Sequence, residues 1–94
     1  MTTLLEIEPV AHHLGWQRRK LFPNGWGVSV IPEHGHEDLC EIAVLSHEGG
    51  KQARITSESG LFGSEDSVSR YLTFDQADYF VGVIETLPPY TPKH

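Results

Sequence analysis

The sequence is poor in cysteine, in basic residues and in long apolar runs, and each shortage excludes a class of protein. Its single cysteine, Cys40, cannot form an internal disulfide, whereas small secreted domains usually carry several. The longest apolar runs fall far short of the roughly 20 residues that span a bilayer. The N-terminal segment lacks the basic and long apolar stretches of a signal peptide. We therefore expect a single domain in a reducing cytoplasm, without membrane contact.

Basic residues are few and unevenly placed. Seven Lys and Arg side chains stand against thirteen Asp and Glu, which gives a formal net charge of −6. From Glu33 to Glu48 there are five acids and no Lys or Arg, and from Glu58 to Glu85 six acids accompany only Arg70. Such a surface repels phosphate backbones, so we expect no direct contact with nucleic acid. The one basic cluster, Arg18 to Lys20, is interpreted as a solvated sheet edge.

The motifs of common enzymes are missing as well. No serine lies in a G-x-S-x-G pattern and no G-x-x-x-x-G-K-[ST] loop is present, so hydrolase and nucleotide-hydrolase chemistry lack support. Cys40 lies beside Glu41 in an apolar run, where a reactive thiolate would not be stabilised. We interpret Cys40 as a buried structural thiol, and we predict a protein without catalytic activity or cofactor.

The apolar pattern predicts an α+β fold, with a three- to four-stranded antiparallel β-meander packed against one C-terminal amphipathic α-helix. The turn Pro23-Asn24-Gly25 is typical of a hairpin, because Asn-Gly readily takes positive φ values. Strands are expected over 16–22, 26–30, 39–46 and 51–56. Residues 2–8 are expected to form a short strand or an arm that ends at Pro9. We expect an ordered core over about 14–88 and a flexible tail over 89–94.

Capping and spacing predict the C-terminal helix. Thr73 is a good N-cap, and Gln76, three residues later, completes a capping box. One side carries apolar residues at helical spacing: Ala77, Phe80, Ile84 and Leu87, flanked by Phe74 and Val81. The other side, which faces away from the sheet, carries Asp75, Asp78, Gly82, Glu85 and Thr86. Pro88-Pro89 is expected to end the helix.

The segment 57–69 is rich in Ser, Gly and acids. This composition predicts a mobile surface loop with one short helical turn near Asp66–Tyr71. Its two large apolar residues, Leu61 and Phe62, either attach the loop to the core or are exposed.

The two tryptophans, Trp16 and Trp26, flank the expected hairpin. In so small a domain we interpret them as core residues, whereas an exposed tryptophan would be the leading interface anchor.

His34-Gly35-His36 is the most metal-like part of the chain. Acids flank it at Glu33, Glu37 and Asp38, and zinc accepts imidazole and carboxylate ligands. Zinc needs three or four ligands, however, and the chain offers neither a Cys partner nor an H-E-x-x-H helix. We interpret the segment as a solvated loop and assign no metal ligand. The alternative is a small metal- or ligand-binding regulatory domain centred on His34 and His36.

Three stretches carry a family resemblance. They are Phe22-Pro23-Asn24-Gly25-Trp26-Gly27 with the strand 28–31, the strand 41–45, and Tyr71-Leu72-Thr73 with an acid-rich helix closing in Leu87-Pro88. Through them the segment 21–88 resembles a group of small bacteriophage-encoded proteins. That group's helix usually carries a run of Glu after the Thr, where this chain has Phe74, Tyr79 and Phe80. The resemblance implies a phage accessory protein in a bacterial cytoplasm, and it implies no known activity.

Together these observations predict a binding protein without catalysis. The expected partner is a host bacterial protein, and in the more specific version the chain is an anti-CRISPR-like inhibitor of a nucleic-acid-handling defence complex. Eight acids are the predicted partner-binding residues: Glu33, Glu37, Asp38, Glu58, Glu65, Asp66, Asp75 and Asp78. Self-association into a homodimer, through an edge strand or the helix, is a third possibility.

Overall fold

The computed structural model describes residues 1–63 and 65–92, which form one antiparallel sheet and one α-helix. The strands are β1 (Pro9–His12), β2 (Gly15–Leu21), β3 (Trp26–Glu33), β4 (His36–Glu48), β5 (Lys51–Ile55) and β6 (Val68–Leu72), and the helix is α1 (Phe74–Glu85). A turn of 3-10 helix, Leu4–Glu6, precedes β1. The α+β class is confirmed, but the described residues form six strands where three to four were expected.

The first five strands form the expected meander, each antiparallel to the next. The hairpin between β2 and β3 turns at Pro23-Asn24-Gly25, where Gly25 takes a φ of 88°. Phe22 N–H donates to the carbonyl of Trp26 at 2.7 Å and closes this turn. Alternate residues of β3 and β4 pack with α1 into one core, which includes Val28, Val30, Cys40, Ile42, Val44, Val81 and Ile84.

Strands β5 and β6 lie one after the other along the same side of β4. Thr56 N–H donates to the carbonyl of Val44, and Val44 N–H donates to the carbonyl of Ser67, both at 3.0 Å. The chain therefore leaves the sheet beside Val44 and returns to it at the same residue. The described residues between Thr56 and Ser67 form an excursion from the sheet.

The structure has strand β6 where a short helical turn was expected near Asp66–Tyr71, so that expectation is wrong. β5 pairs only with the C-terminal part of the 13-residue β4. The backbone groups along the N-terminal part of β4 also need hydrogen-bond partners. β6 supplies them by pairing Ser69 with Ile42 and Leu72 with Cys40.

The N-terminal segment, which lay outside the expected ordered core, is packed against the domain. Leu4 and Ile7 are buried, and Pro9 begins β1 instead of ending a strand. β1 pairs with β2 only as far as Arg18, which lies opposite Pro9. Arg18 is therefore inside the sheet and not at the expected edge, whereas Arg19 and Lys20 pair with β3 alone. Arg18 Nη1 donates to the carbonyl of Ile7 at 2.5 Å and attaches this segment to β2.

Helix α1 begins as the sequence predicts. Thr73 Oγ1 accepts the N–H of Gln76 at 3.2 Å, and Gln76 Oε1 accepts the N–H of Thr73 at 2.9 Å. This reciprocal capping box satisfies two backbone donors that the helix itself cannot pair. No helix in the described part of the chain is long and apolar enough to cross a membrane.

The N-terminal segment also packs against the side of α1 that carries Gly82 and Glu85. A β-carbon at Gly82 would lie 2.5 Å from the methyl group of Met1. The Glu85 carboxylate accepts the backbone N–H and the hydroxyl of Thr2, at 2.5 and 2.8 Å. Gly82 and Glu85 are therefore in contact with a segment more than 70 residues away in sequence.

The residues that follow α1 are docked on the β2–β3 hairpin. Trp26 Nε1–H donates to the carbonyl of Pro88, and Tyr90 N–H donates to the carbonyl of Asn24, both at 2.7 Å. The Tyr90 ring stands edge-on to Trp26 at 5.0 Å, and Trp26 is buried as expected. The tail 89–94, expected to be flexible, is thus attached through Tyr90, and its last two residues lie outside the described part.

Asn24 joins the same hairpin to the end of α1. Its Nδ2 donates to the carbonyls of Ile84, Glu85 and Leu87 at 3.0 to 3.2 Å. Its Oδ1 accepts the N–H of Trp26 at 3.0 Å. The last carbonyls of a helix have no partner within it, so the sheet supplies the C-terminal cap of α1 through one amide.

Candidate protein-binding surface

Of the eight acids predicted to bind a partner, six are exposed and two are engaged within the fold. The exposed ones are Glu37, Asp38, Glu58, Glu65, Asp66 and Asp75. Asp78 is half-buried, and its Oδ1 accepts the N–H of Leu4 at 2.6 Å. Glu33 is only 3% exposed. The expectation that Glu33 belongs to an exposed acidic surface is therefore wrong.

Glu33 is the buried end of an ion pair. Arg70 Nη2 and Nε donate to its two carboxylate oxygens at 2.7 and 3.2 Å, and Tyr71 N–H donates at 3.1 Å. The hydrogen bond from Arg70, more than any other cause, lowers the pKa of Glu33, although burial acts in the opposite direction. Arg70 also lies 3.7 Å from Glu41. The one basic side chain between residues 58 and 85 is thus shared by two carboxylates.

Three exposed acids lie at the end of β6. Leu72 pairs with Cys40, so the start of β4, with Glu37 and Asp38, lies beside the end of β6. Asp75 follows in the first turn of α1, two residues after the N-cap Thr73. This end of the strand therefore carries negative charge from two different elements.

Two further exposed acids lie at the start of β6. Glu65 and Asp66 immediately precede Ser67, whose carbonyl accepts the N–H of Val44. Both ends of the strand are therefore flanked by carboxylates. We call this group the acidic rim: Glu37, Asp38, Glu65, Asp66 and Asp75.

One side of β6 has no strand beside it. Within the described chain, β6 pairs with β4 alone. Alternate residues of an antiparallel strand direct their backbone groups to the same neighbour. Because the carbonyl of Ser67 bonds to β4, the backbone groups of Val68 and Arg70 point to the open side. We call this side the β6 edge.

A groove of about 460 Å³ runs between β6 and α1. Its lining residues are Ser69, Leu72, Asp75, Gln76, Tyr79 and Phe80. Tyr79 is 68% exposed, and Phe80 stands edge-on to Phe62 at 5.1 Å, so Phe62 attaches the 57–67 loop to the helix. An apolar groove beside a polar rim is typical of an interaction surface. We call it the β6–α1 groove.

Tyr71 has a backbone conformation that its residue type disfavours. Its φ is 59°, and it lies where the register of β6 against β4 shifts, so it forms a β-bulge. Its exposed ring packs over the guanidinium of Arg70 at 5.0 Å and edge-on to His36 at 5.6 Å. Such strained positions cluster at functional sites. Nothing in the sequence marks a positive φ at a tyrosine, so the role of Tyr71 could not be predicted.

The histidines considered as metal ligands lie on the surface. His34 and His36 are exposed at the β3–β4 turn, and the His36 ring is engaged with Tyr71. Across residues 1–63 and 65–92, no three His, Cys, Asp or Glu side chains are grouped so that they could hold a metal ion. The metal-binding form of the histidine-centred alternative therefore receives no geometric support from these residues. A pocket of about 480 Å³ is lined by His34 and His36, and the ligand-binding form stays a prediction.

Cys40 is buried, as the sequence analysis predicted. Burial, and secondly the charge of Glu33, raise the pKa of the Cys40 thiol to about 11. A thiolate is the reactive form of cysteine. At neutral pH this thiol is protonated, and it packs within the core.

Comparison of the chain with protein-family profiles, with curated proteins and with solved structures gives no match. The assignment of a function therefore rests on the residues of this chain.

Proposed function

We propose that this chain is a non-catalytic phage accessory protein that binds and modulates a host bacterial protein. The observation that carries the proposal is the coincidence of the acidic rim, the β6 edge and the β6–α1 groove on one part of the molecule. An apolar groove supplies binding free energy, and a charged rim selects the partner and speeds association. The partner would present a complementary basic surface.

The specific version of the proposal is an anti-defence, anti-CRISPR-like inhibitor acting in the bacterial cytoplasm. Complexes that handle nucleic acid have positively charged channels, and a net charge of −6 is attracted to such a channel. The five carboxylates of the acidic rim would compete with phosphate groups there. The charge is moderate for a chain of this length, so the groove has to contribute to affinity.

The test is affinity capture from bacterial lysate with a matched pair of charge variants. The rim variant carries Glu37→Lys and Asp38→Lys, and the control carries Glu6→Lys and Glu8→Lys, which are exposed and outside the rim. Both raise the formal net charge from −6 to −2. We expect wild type and control to capture one stoichiometric host protein at low salt, and the rim variant to lose it.

Two results would contradict the proposal. Capture that survives in the rim variant would show that the acidic rim is not the contact surface. Equal loss in the rim variant and the control would show that only total charge matters. Thermal melting of all three proteins establishes beforehand that each is folded.

A further inference from the structure

We propose that the β6 edge and the β6–α1 groove together bind an extended, basic segment of the partner as an added β-strand. One bulky apolar side chain of that segment would enter the groove. The inference rests on the proposed function, since it names the form of the partner at the same surface. Strand addition is a common way for a sheet edge to recognise an extended peptide.

The β6 edge differs from the other edges of the sheet. Natural edges are usually protected by proline or by charged side chains, above all lysine. β1 begins with Pro9, and β5 carries Lys51 and Arg54. β6 carries Arg70 as its only charged residue, and Arg70 is held by Glu33. The β6 edge is therefore the least protected against an incoming strand.

Among the described residues, the excursion between Thr56 and Ser67 makes no backbone hydrogen bond to Val68 or Arg70. It leaves the sheet beside Val44 and packs Phe62 against Phe80 of α1. Its aromatic contact is thus with the helix. The backbone groups of Val68 and Arg70 remain available to a strand about five residues long, a common strand length.

The β6–α1 groove fits the side chains of such a strand. Alternate side chains of a strand point to the same face of the sheet. A segment paired with β6 would direct every second side chain toward α1, where Leu72, Tyr79 and Phe80 line the groove. The groove volume of about 460 Å³ is ample for one aromatic or large aliphatic side chain.

The charges identify the occupant as a basic segment and not a second copy of this chain. Two antiparallel copies of β6 would place Glu65 and Asp66 of one copy beside Glu37 and Asp38 of the other. Like charges brought together in this way oppose pairing. A segment with lysine or arginine on both sides of an apolar residue would pair with the carboxylates at the start and at the end of β6.

The first experiment uses a defined peptide and nuclear magnetic resonance of the isotope-labelled protein. The probe is an acetylated and amidated octapeptide of alternating lysine and valine, with phenylalanine replacing one central valine. We expect amide shift changes concentrated in residues 68–72 and 75–80. Methylating the peptide nitrogens that would pair with β6 should weaken binding about tenfold or more, because those donors are lost. The same peptide with glutamate in place of lysine should not bind.

Two pairs of protein variants localise the effect. Val68→Pro removes a donor on the open side, and Val68→Ala keeps it, so only the proline variant should bind the probe at least about fivefold more weakly. Tyr79→Lys places a cation in the groove and should abolish binding. Its control is Leu5→Lys, an exposed apolar residue outside the groove, which should bind normally. Tyr79→Lys keeps the test decisive if Val68→Pro does not fold.

Several outcomes would overturn strand addition. These are no binding at about 1 mM probe, equal binding of the methylated probe, shift changes outside β6 and α1, or self-association of the protein through residues 68–72. A lysate partner that is lost with the Glu37→Lys, Asp38→Lys variant but retained by Tyr79→Lys would leave the proposed function standing and refute this inference. A partner retained by both variants would refute the proposed function as well.

Discussion

At the scale of single residues, Tyr71 and its neighbours connect strain with the candidate surface. A left-handed conformation costs an L-residue roughly 1–2 kcal/mol, and Tyr71 keeps it at a φ of 59°. Glu33 accepts the N–H of Tyr71, and the Tyr71 ring lies over the guanidinium of Arg70. These contacts stabilise the bulge, and the bulge directs an exposed aromatic ring to the end of the β6 edge.

Glycine should be better tolerated than alanine at position 71. In an ordinary strand Gly is less stable than Ala by roughly 0.5–1 kcal/mol. Here we expect Tyr71→Gly to be more stable than Tyr71→Ala by about 1 kcal/mol, because glycine adopts positive φ without strain. Urea denaturation measures both, and Ser69→Gly with Ser69→Ala in the same strand should keep the usual order. If instead Tyr71→Ala is the more stable variant by the usual margin of roughly 0.5–1 kcal/mol, the bulge carries no strain.

Cys40 should be unreactive in the folded protein. Its pKa of about 11 and its burial leave almost no accessible thiolate at pH 8. We expect alkylation by iodoacetamide to be at least about 100-fold slower than in urea-unfolded protein. Mass spectrometry over a time course measures both rates. Rapid labelling without denaturant would mean that the strand pair β4–β6 opens readily.

At the scale of elements, α1 is capped at both ends by different means. Its start is capped locally by Thr73 and Gln76, which sequence spacing is sufficient to predict. Its end is capped by Asn24, some 60 residues earlier in the chain. From the sequence, Asn24 is recognisable only as a turn residue. Its amide comes within hydrogen-bond distance of the helix only in the folded sheet.

Asn24→Asp should destabilise the protein although the two side chains have nearly the same shape. The carboxylate still accepts the N–H of Trp26 but cannot donate to the helix carbonyls, and it places negative charge at the negative end of the helix. We expect a loss of about 2–3 kcal/mol in unfolding free energy. Chemical denaturation at pH 7 measures it. A loss below about 0.5 kcal/mol would mean that water caps the helix equally well.

Strand β6 shows why an element can escape sequence analysis. Its five residues follow a stretch of Ser, Gly and acids whose composition is that of a loop. What makes them a strand is the unpaired part of β4, which needs backbone partners. The strands β3, β4 and β5 are visible in the sequence because each carries its own apolar pattern. The β6 edge and groove could therefore not be predicted.

At the scale of the whole molecule, the α+β class follows from local patterns, and the attachment of both chain ends does not. Two hydrogen bonds join residues more than 70 positions apart in the sequence: Thr2 with Glu85, and Leu4 with Asp78. Glu33 similarly finds Arg70 across 37 residues. The number of acidic residues can be read from the sequence, but which of them are exposed to solvent depends on the fold. Two of the eight candidate acids are engaged within the fold for this reason.

Stability should fall in acid more steeply for wild type than for Glu33→Gln. The pKa of Glu33 is lowered in the folded state, mainly by Arg70, and that of Glu85 is lowered by Thr2. Their stabilising contributions are complete above the ordinary glutamate pKa of about 4.3 and are lost as pH falls through the folded-state values. We expect Glu33→Gln to be less stable at pH 7 by about 1–3 kcal/mol. The difference should shrink below about pH 4.

Thermal melting across this pH range is the measurement, with Glu33→Gln and Glu85→Gln compared separately. A constant difference between wild type and Glu33→Gln at every pH would contradict the lowered pKa. It would mean that the glutamine amide disturbs packing and that the carboxylate charge is irrelevant.

The excursion between Thr56 and Ser67 has a practical consequence for sensor design. Both of its ends bond to Val44, so the length of the intervening segment does not change the sheet register. Space beside Gly60 is open, and doubling a flexible loop costs only about 0.6 kcal/mol. A biotin-acceptor sequence inserted between Glu58 and Gly60 would therefore anchor the molecule to a chip in one defined orientation.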